Sequence, residues 1–164
     1  MARALIVGCG CRGRELGAEL IERGWQVRGT SRTPEGREAI DAAGLQAAEA
    51  DPDRPGTVLE LCGDAAVVVW LLGAAGGDAP ALDAIHGSRL ERLLEKLVDT
   101  PVRGFVYEAV GPAEAAERLA GGRQIAERAA LTWRIPVVSL EAKRDEAGWA
   151  GSAADAVERS LLRV

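Results

Sequence analysis

A glycine-rich segment near the start of the chain carries the clearest chemical signal. Gly8, Gly10 and Gly13 stand between a short apolar run, Ala4–Val7, and a segment of helical periodicity, Arg14–Arg23. A G-x-G-x-x-G pattern between a strand and a helix is typical of a dinucleotide-binding turn. The first glycine permits a tight turn, the second lets a pyrophosphate approach the backbone, and the third lets the helix pack closely on the strand. The N–H groups and positive dipole end of the helix then face the phosphates.

The end of the second predicted strand indicates which dinucleotide is preferred. An Asp or Glu about 20 residues beyond the glycines commonly binds the ribose 2′-hydroxyl of NAD. Thr30, Ser31 and Arg32 occupy that place here. Hydroxyl groups and a guanidinium bind a 2′-phosphate, which a carboxylate would repel. The sequence therefore predicts NADP(H) in preference to NAD(H), although an ordinary polar loop has the same composition.

The strongest predicted strand, Asp64–Leu72, completes the candidate site. In a doubly wound sheet this fourth strand lies beside the first, and the cofactor occupies the crevice between their carboxyl ends. The loop that follows, Gly73–Pro80, either passes the nicotinamide half or is a plain surface loop. The predicted cofactor-binding residues are Gly8, Cys9, Gly10, Cys11, Arg12, Gly13, Thr30, Ser31, Arg32, Leu71, Leu72 and Gly73.

Six apolar segments alternate with helical patterns along the chain. This alternation predicts an α/β fold, a single doubly wound Rossmann-like domain over residues 1–164 with a mainly parallel sheet in the order 3-2-1-4-5-6 and helices on both faces. We expect one helix over Leu82–Val98, with His86 in its first turn. Residues 113–133 are expected to form two helices, interrupted at Gly121-Gly122. No segment remains for a separate substrate domain.

Composition narrows the classes of partner. The chain has 164 residues, 48% of them hydrophobic, and a net charge of −5, which argues against nucleic acid as the main partner. We expect no membrane span and no signal peptide. Three cysteines, Cys9, Cys11 and Cys62, lack metal-site spacing, so no metal is predicted, and their odd number fits the reducing cytoplasm. The two in the glycine turn are either redox-sensitive, because a helix N-terminus lowers a thiol pKa, or simply small.

Two segments together, Val7–Gly13 and Val27–Arg32, resemble the atypical and extended branches of the short-chain dehydrogenase/reductase superfamily. Specific residues match over about the first 35 positions, and the rest of the chain matches only as a fold. The resemblance implies an NAD(P)-binding Rossmann fold, with pyrophosphate contacts at the three glycines and a 2′-phosphate site at the Thr-Ser-Arg stretch. It also implies a possible homodimer, because relatives often pair through the helices after the fourth and fifth strands.

The chain departs from this superfamily where catalysis is concerned. Active members carry a Tyr-x-x-x-Lys pair, in which the tyrosine transfers a proton to or from the substrate oxygen. The only tyrosine here is Tyr107, and Gly111 stands four positions on. Neither Lys96 nor Lys143 is placed to substitute for the missing lysine, and no serine follows the fifth strand near Glu108. The resemblance therefore implies a cofactor fold without the standard chemistry.

The catalytic residues consequently remain unassigned. We expect Tyr107 to be partly buried with its hydroxyl satisfied, Glu108 to be a solvated strand end, and His86 to be structural or exposed. Three functions stay open: an NADP(H)-dependent oxidoreductase acting on an unknown small molecule, a non-catalytic NADP(H) sensor or binding subunit, and a scaffold that binds no dinucleotide or a different ligand, such as a nucleotide-sugar or an adenosyl cofactor.

Overall fold

Six strands form one parallel sheet within residues 2–162, the part of the chain that the computed structural model describes. The strand order is β3-β2-β1-β4-β5-β6, as the sequence predicts, so the expected fold class is confirmed. The strands are β1 (Arg3–Val7), β2 (Gln26–Ser31), β3 (Gln46–Glu49), β4 (Val67–Trp70), β5 (Gly104–Glu108) and β6 (Val137–Leu140).

Helices cover both faces of this sheet. They are α1 (Cys11–Glu22), α2 (Pro34–Ala42), α3 (Pro55–Leu59), α4 (Ala79–Ile85), α5 (Ser88–Leu97), α6 (Ala116–Trp133) and α7 (Trp149–Leu162). Alternate residues of β1 serve two apolar cores: Leu5 packs into the core beneath α5 and α6, and Ile6 packs into the core beneath α1 and α7. Burial on both faces explains the continuously apolar strands. Among the described helices, none is long and apolar enough to cross a lipid bilayer.

The central strand β1 lies at the point where the chain changes direction across the sheet. It pairs with β2 on one side, Ile6 opposite Gly29, and with β4 on the other, Val7 opposite Trp70. The connections after β1 and β4 therefore leave the sheet on opposite faces. In open α/β sheets such a switch point leaves a crevice at the carboxyl ends of the strands, where ligands bind.

The segment Leu82–Val98 is two helices, contrary to the single helix expected from its apolar periodicity. Helix α4 ends at Ile85, His86 is its C-cap, and α5 begins at Ser88. His86 is therefore at the end of a helix instead of in a first turn. The break occurs because the imidazole is buried and hydrogen-bonded in the core, and because Gly87 adopts φ −130° and ψ −111°, outside the helical region.

The segment 113–133 also differs from its prediction. A 3₁₀ turn, Ala113–Ala115, leads into α6, which continues without interruption through Gly121 and Gly122. A side chain at Gly122 would collide with the hydroxyl of Tyr107, so tertiary packing requires glycine within the helix. This packing outweighs the cost of about 1 kcal/mol that an interior glycine carries relative to alanine.

Candidate functional site

A cavity of about 360 Å³ opens at the carboxyl ends of β1, β2 and β4, and we refer to it as the first cavity. Its wall is formed by the glycine turn, the end of β2 and the loops after β3 and β4. Eight of the predicted site residues line it: Gly8, Cys9, Gly10, Thr30, Ser31, Arg32, Leu71 and Leu72. The other four, Cys11, Arg12, Gly13 and Gly73, do not.

The glycine turn leaves space that the protein itself does not use. Gly8 has φ +84°, and a Cβ there would lie 2.6 Å from the carbonyl oxygen of Leu71, so this position requires glycine. Gly10 has φ −84°, which other residues adopt readily, and a Cβ there would meet no protein atom within 4 Å. Since packing does not require glycine at position 10, its backbone is open to a ligand.

The N-terminus of α1 is strongly positive. Gly10 is the N-cap and provides no side-chain hydrogen bond, and the first turn holds no acidic residue. It holds Arg12 and Arg14 instead. Acidic side chains normally stabilise this end of a helix by interacting with its dipole. Without one, an anionic ligand is the group that complements the free N–H groups.

Two arginines of the first cavity have no partner within residues 2–162. Arg14 and Arg32 both line the wall, and neither makes an ion pair or side-chain hydrogen bond with another described residue. Arg12 is differently placed, because its Nη1 lies 2.7 Å from Glu15 and its guanidinium lies 6.0 Å from the ring centre of Trp149. Arg14 was missed in the sequence analysis. Residues two apart on a helix point to different faces, so a correct helix start would have separated it from Arg12.

Thr30, a largely buried residue at the end of β2, lines the same cavity. The residue is 2% exposed, and its side chain makes no hydrogen bond to the described part of the chain. Its carbonyl oxygen accepts the N–H of Cys9 at 3.1 Å, which ties β2 to the glycine turn. The neighbouring Ser31 accepts the N–H of Thr33 through Oγ at 3.2 Å. Because its hydroxyl has no partner in the described chain, Thr30 is available to bond a ligand in the cavity.

Two acids after β3 also line the first cavity, Asp51 and Asp53. Asp53 forms an ion pair with Arg89 at 3.2 Å, which compensates its charge. Asp51 accepts the N–H of Asp53 through Oδ1 at 2.9 Å. The Asp-Pro-Asp-Arg-Pro-Gly sequence of this stretch indicates only a turn, since nothing local indicates that it folds back toward the glycines.

Cys9 is a packing residue, contrary to the redox-sensitive alternative. It is 3% exposed, and burial raises the pKa of its thiol to about 12. Its Sγ fills the space left by two glycines: a Cβ on Gly13 would lie 3.1 Å from it, and one on Gly29 would lie 2.5 Å from it. The thiol therefore stays protonated and inert at neutral pH. Cys11, by contrast, is exposed.

A second cavity, of about 860 Å³, lies beside the first. It is an open cleft bordered by the loop after β5, helix α6 and the segment 141–148, which we refer to as the connector between β6 and α7. Ala74 and Arg144 line both cavities. Small apolar residues form much of the remaining wall. The two cavities therefore adjoin each other at Ala74 and Arg144 and differ in the residues that form the rest of their walls.

Glu108 is fully buried at the end of β5, contrary to the solvated strand end expected from the sequence. Its carboxylate accepts two hydrogen bonds from Arg144, from Nε at 2.9 Å and from Nη2 at 2.8 Å. It also accepts the N–H of Gly73 at 2.7 Å. A buried charge needs such partners. The carboxylate thereby fastens the loop after β4 and the connector to β5.

Tyr107 and His86 form a buried pair that lines neither cavity. The tyrosine is fully buried, where partial burial was expected, and its hydroxyl lies 2.7 Å from Nδ1 of His86. Nε2 of the histidine lies 3.0 Å from the carbonyl oxygen of Leu72. Because a carbonyl only accepts, Nε2 carries the proton and Nδ1 accepts from the tyrosine. Burial lowers the pKa of His86 and raises that of Tyr107, so both stay neutral.

Solved structures of several enzymes share this fold. UDP-glucose 4-epimerase from Thermotoga maritima, solved with UDP-glucose, aligns with a TM-score of 0.69 at 16% identity, over 85% of this chain and 54% of that one. The Bordetella bronchiseptica enzyme WbmH in complex with NAD⁺ aligns with a TM-score of 0.63 at 21% identity, over 85% and 55%. The Citrobacter sp. triphenylmethane reductase complexed with NADP(H) aligns with a TM-score of 0.63 at 18% identity, over 86% and 49%.

These similarities establish the Rossmann-like fold. The chain spans about half the length of each of these three enzymes. No protein-family model matches the sequence, and no curated protein matches it.

Proposed function

We propose that this chain binds NADP(H) in the first cavity and acts as an oxidoreductase on a small molecule in the adjoining space. The observation that carries the proposal is the set of unsatisfied groups around one cavity. The backbone at Gly10 is open, the N-terminus of α1 has no side-chain cap, and the side chains of Thr30, Arg14 and Arg32 have no partner within residues 2–162. Each of these groups complements a phosphate or a hydroxyl.

The residues fit a dinucleotide in a definite order along the cavity. The glycine turn and the start of α1 would hold the pyrophosphate, with Arg14 beside it. Thr30 and Arg32, at the end of β2, would hold the 2′-phosphate of the adenosine ribose. The wall formed by Leu71, Leu72 and Ala74 would then face the nicotinamide half. Ala74 also lines the second cavity, so this wall borders it.

The preference for the phosphorylated cofactor rests on charge at the end of β2. No acid occupies positions 30–32, and Arg32 is exposed without an ion-pair partner among the described residues. A guanidinium forms charge-assisted hydrogen bonds with phosphate oxygens. The structural neighbours include one protein solved with NAD⁺ and one with NADP(H). They support a nicotinamide dinucleotide, and Thr30 and Arg32 support the choice between the two.

When bound, the nicotinamide supplies hydride transfer. The chain would contribute orientation and exclusion of water, because Tyr107 and His86 are committed to each other in the core and Glu108 is committed to Arg144. None of these three residues lines the first or the second cavity. The same observation favours a second candidate function, a non-catalytic NADP(H) sensor or binding subunit, which needs the cofactor site and no acid or base.

A titration of cofactor-free protein with NADPH, NADP⁺, NADH and NAD⁺ tests the proposal. We expect NADPH to bind at least tenfold more tightly than NADH. Arg32→Ala should lower NADPH affinity about tenfold, equivalent to about 1.4 kcal/mol, and leave NADH affinity unchanged. Arg92→Ala is the matched control, because Arg92 is also exposed and without a partner among the described residues but lies on α5, away from the first cavity.

Failure of all four dinucleotides to bind would overturn the proposal. Equal affinity for NADPH and NADH would overturn the preference and keep the site. Enzyme and sensor are then separated by two further measurements. Consumption of NADPH with a panel of carbonyl compounds supports the oxidoreductase. No NADPH consumption with any of these compounds, together with different affinities for NADP⁺ and NADPH, supports the sensor, because only differential binding shifts a conformational equilibrium.

A further inference from the structure

We propose that the second cavity binds a small carboxylate with an apolar body, and that Arg144 binds its carboxylate group. The claim that this carboxylate is the substrate rests on the proposed oxidoreductase function. As a binding site, it rests only on the residues of the second cavity and can be tested without any dinucleotide.

Arg144 is held on one side and free on the other. Its Nε and Nη2 donate to Glu108, and Nη2 also donates to the carbonyl oxygen of Leu71 at 3.3 Å. Nη1 makes no hydrogen bond to any residue in the described range 2–162. The side chain is 30% exposed and lines the second cavity. A guanidinium fixed in this way presents two N–H groups at low entropic cost.

The surrounding charges favour a single negative charge at this point. Glu108 is fully buried behind Arg144, and its oxygens are already occupied by Arg144 and Gly73. Lys143 lines the same cavity and has no ion-pair partner in the described chain, and Asp145 lies on the wall beside it. The guanidinium is thus partly neutralised, which suits a planar monoanion better than a phosphate dianion.

The remaining charges on the wall satisfy one another. Arg123 donates from Nε to Glu127 at 3.0 Å and from Nη1 to Glu141 at 2.6 Å. This cation is therefore engaged at the rim. Arg144 remains as the cationic donor at the border with the first cavity.

The rest of the wall is apolar and built from small side chains. Val110 and Pro112 follow β5, and Ala116, Leu119 and Ala120 lie on one face of α6. A volume of about 860 Å³ lies within the range of small-molecule sites. A ligand that complements this wall has a hydrocarbon portion of several carbons attached to its carboxylate.

Binding of two matched compounds to cofactor-free protein tests the inference. The probes are 4-methylpentanoate and the neutral amide of the same shape, 4-methylpentanamide, followed by calorimetry or ligand-observed NMR. We expect the acid to bind at least tenfold more tightly than the amide. Equal affinity for the two compounds, or no binding of the acid, would overturn the proposal.

Three variants locate the site. Arg144→Lys keeps a cation for Glu108 but loses Nη1, so the acid should bind about tenfold more weakly. Lys143→Met removes the neighbouring cation and should leave the affinity within about twofold. Ala120→Phe fills the second cavity from an exposed position of α6 and should abolish binding, whereas Ala18→Phe, on an exposed position of α1 outside both cavities, should not.

These variants also separate the outcomes. Ala120 lines only the second cavity, so binding that survives Ala120→Phe places the acid elsewhere and refutes the site. Loss of binding in Lys143→Met together with normal binding in Arg144→Lys refutes the role of Arg144. Because no dinucleotide is present, a negative result leaves the NADPH titration untouched. Conversely, a protein that binds the acid but no dinucleotide keeps this inference and loses the proposed function.

Discussion

The hydroxyl of Tyr107 donates to Nδ1 of His86 across 2.7 Å, in the core that α6 covers. Gly122 of α6 lies directly over that hydroxyl, with no room for a side chain. The pair joins the end of β5 to the junction of α4 and α5. The only tyrosine and the only histidine of the chain are therefore structural residues.

Gly122→Ala should destabilise the fold by about 1–3 kcal/mol, because the new methyl group overpacks against Tyr107. Gly121→Ala is the matched control: a Cβ there meets nothing within 4 Å, and we expect stabilisation of about 0.5–1 kcal/mol. Urea denaturation measures both. Gly122→Ala should cost less when it is made in a Tyr107→Phe background, since the atom in collision is then absent. Equal effects at positions 121 and 122 would contradict this packing.

Stability should fall as the pH drops below about 6.5, through His86. Burial holds the pKa of this histidine below its ordinary value of 6.5, so the unfolded chain binds a proton that the folded chain excludes. The contribution is fully present above 6.5 and is lost as the pH decreases toward the folded-state pKa. Urea midpoints at pH 5–8 measure it. In His86→Gln this part of the slope should disappear, and an unchanged slope would assign it to other groups.

Gly8 and Gly10 should respond oppositely to substitution. Gly8→Ala forces a side chain into a left-handed backbone and against Leu71, so we expect a loss of at least about 1 kcal/mol in unfolding free energy. Gly10→Val places its side chain in open space, so stability should stay within about 0.5 kcal/mol of the parent while NADPH affinity falls more than tenfold. Denaturation and titration of the same preparations measure both quantities. Unchanged NADPH binding in Gly10→Val would remove the glycine turn from the site.

Arg14→Ala should weaken NADPH binding about tenfold, whereas Arg12→Ala should change it less than twofold. The reason is their direction: Arg14 lines the first cavity, and Arg12 pairs with Glu15 beside Trp149. Calorimetry compares the affinities. Tryptophan fluorescence provides an internal check, because only Arg12→Ala should alter the surroundings of Trp149. A larger loss of affinity in Arg12→Ala would show that this side chain turns into the cavity when the cofactor binds.

The strand order was predictable because each apolar strand is a local pattern and the connection rules for parallel sheets leave few arrangements. Which of Arg12 and Arg14 lines the first cavity was not predictable, because the sequence indicated a helix starting at Arg14 and the helix starts at Cys11. Moving the start of the helix by three residues changes the direction in which each side chain of the first turn points. Local periodicity determines that a helix exists more firmly than where it begins.

Two features of the core depend on contacts between distant parts of the chain, which the sequence alone does not show. From the sequence, Glu108 is expected to face water at the end of a strand. In the structure it contacts Arg144, which lies 36 residues later in a connector without periodicity. Likewise, the glycine pair in α6 predicts a helix break from the sequence alone. In the structure the helix continues, because Tyr107 occupies the space beneath Gly122. Such pairs follow from tertiary packing, which overrides local propensity.

Arg144 belongs to the walls of both cavities through a single guanidinium. A ligand that moves this side chain in one cavity changes the shape and charge that the other cavity presents. Thermodynamic linkage then requires reciprocity: the factor by which a dinucleotide alters the affinity for a carboxylate equals the factor by which the carboxylate alters the affinity for the dinucleotide. If both proposed ligands bind, this one side chain anchored on Glu108 would couple the two binding equilibria.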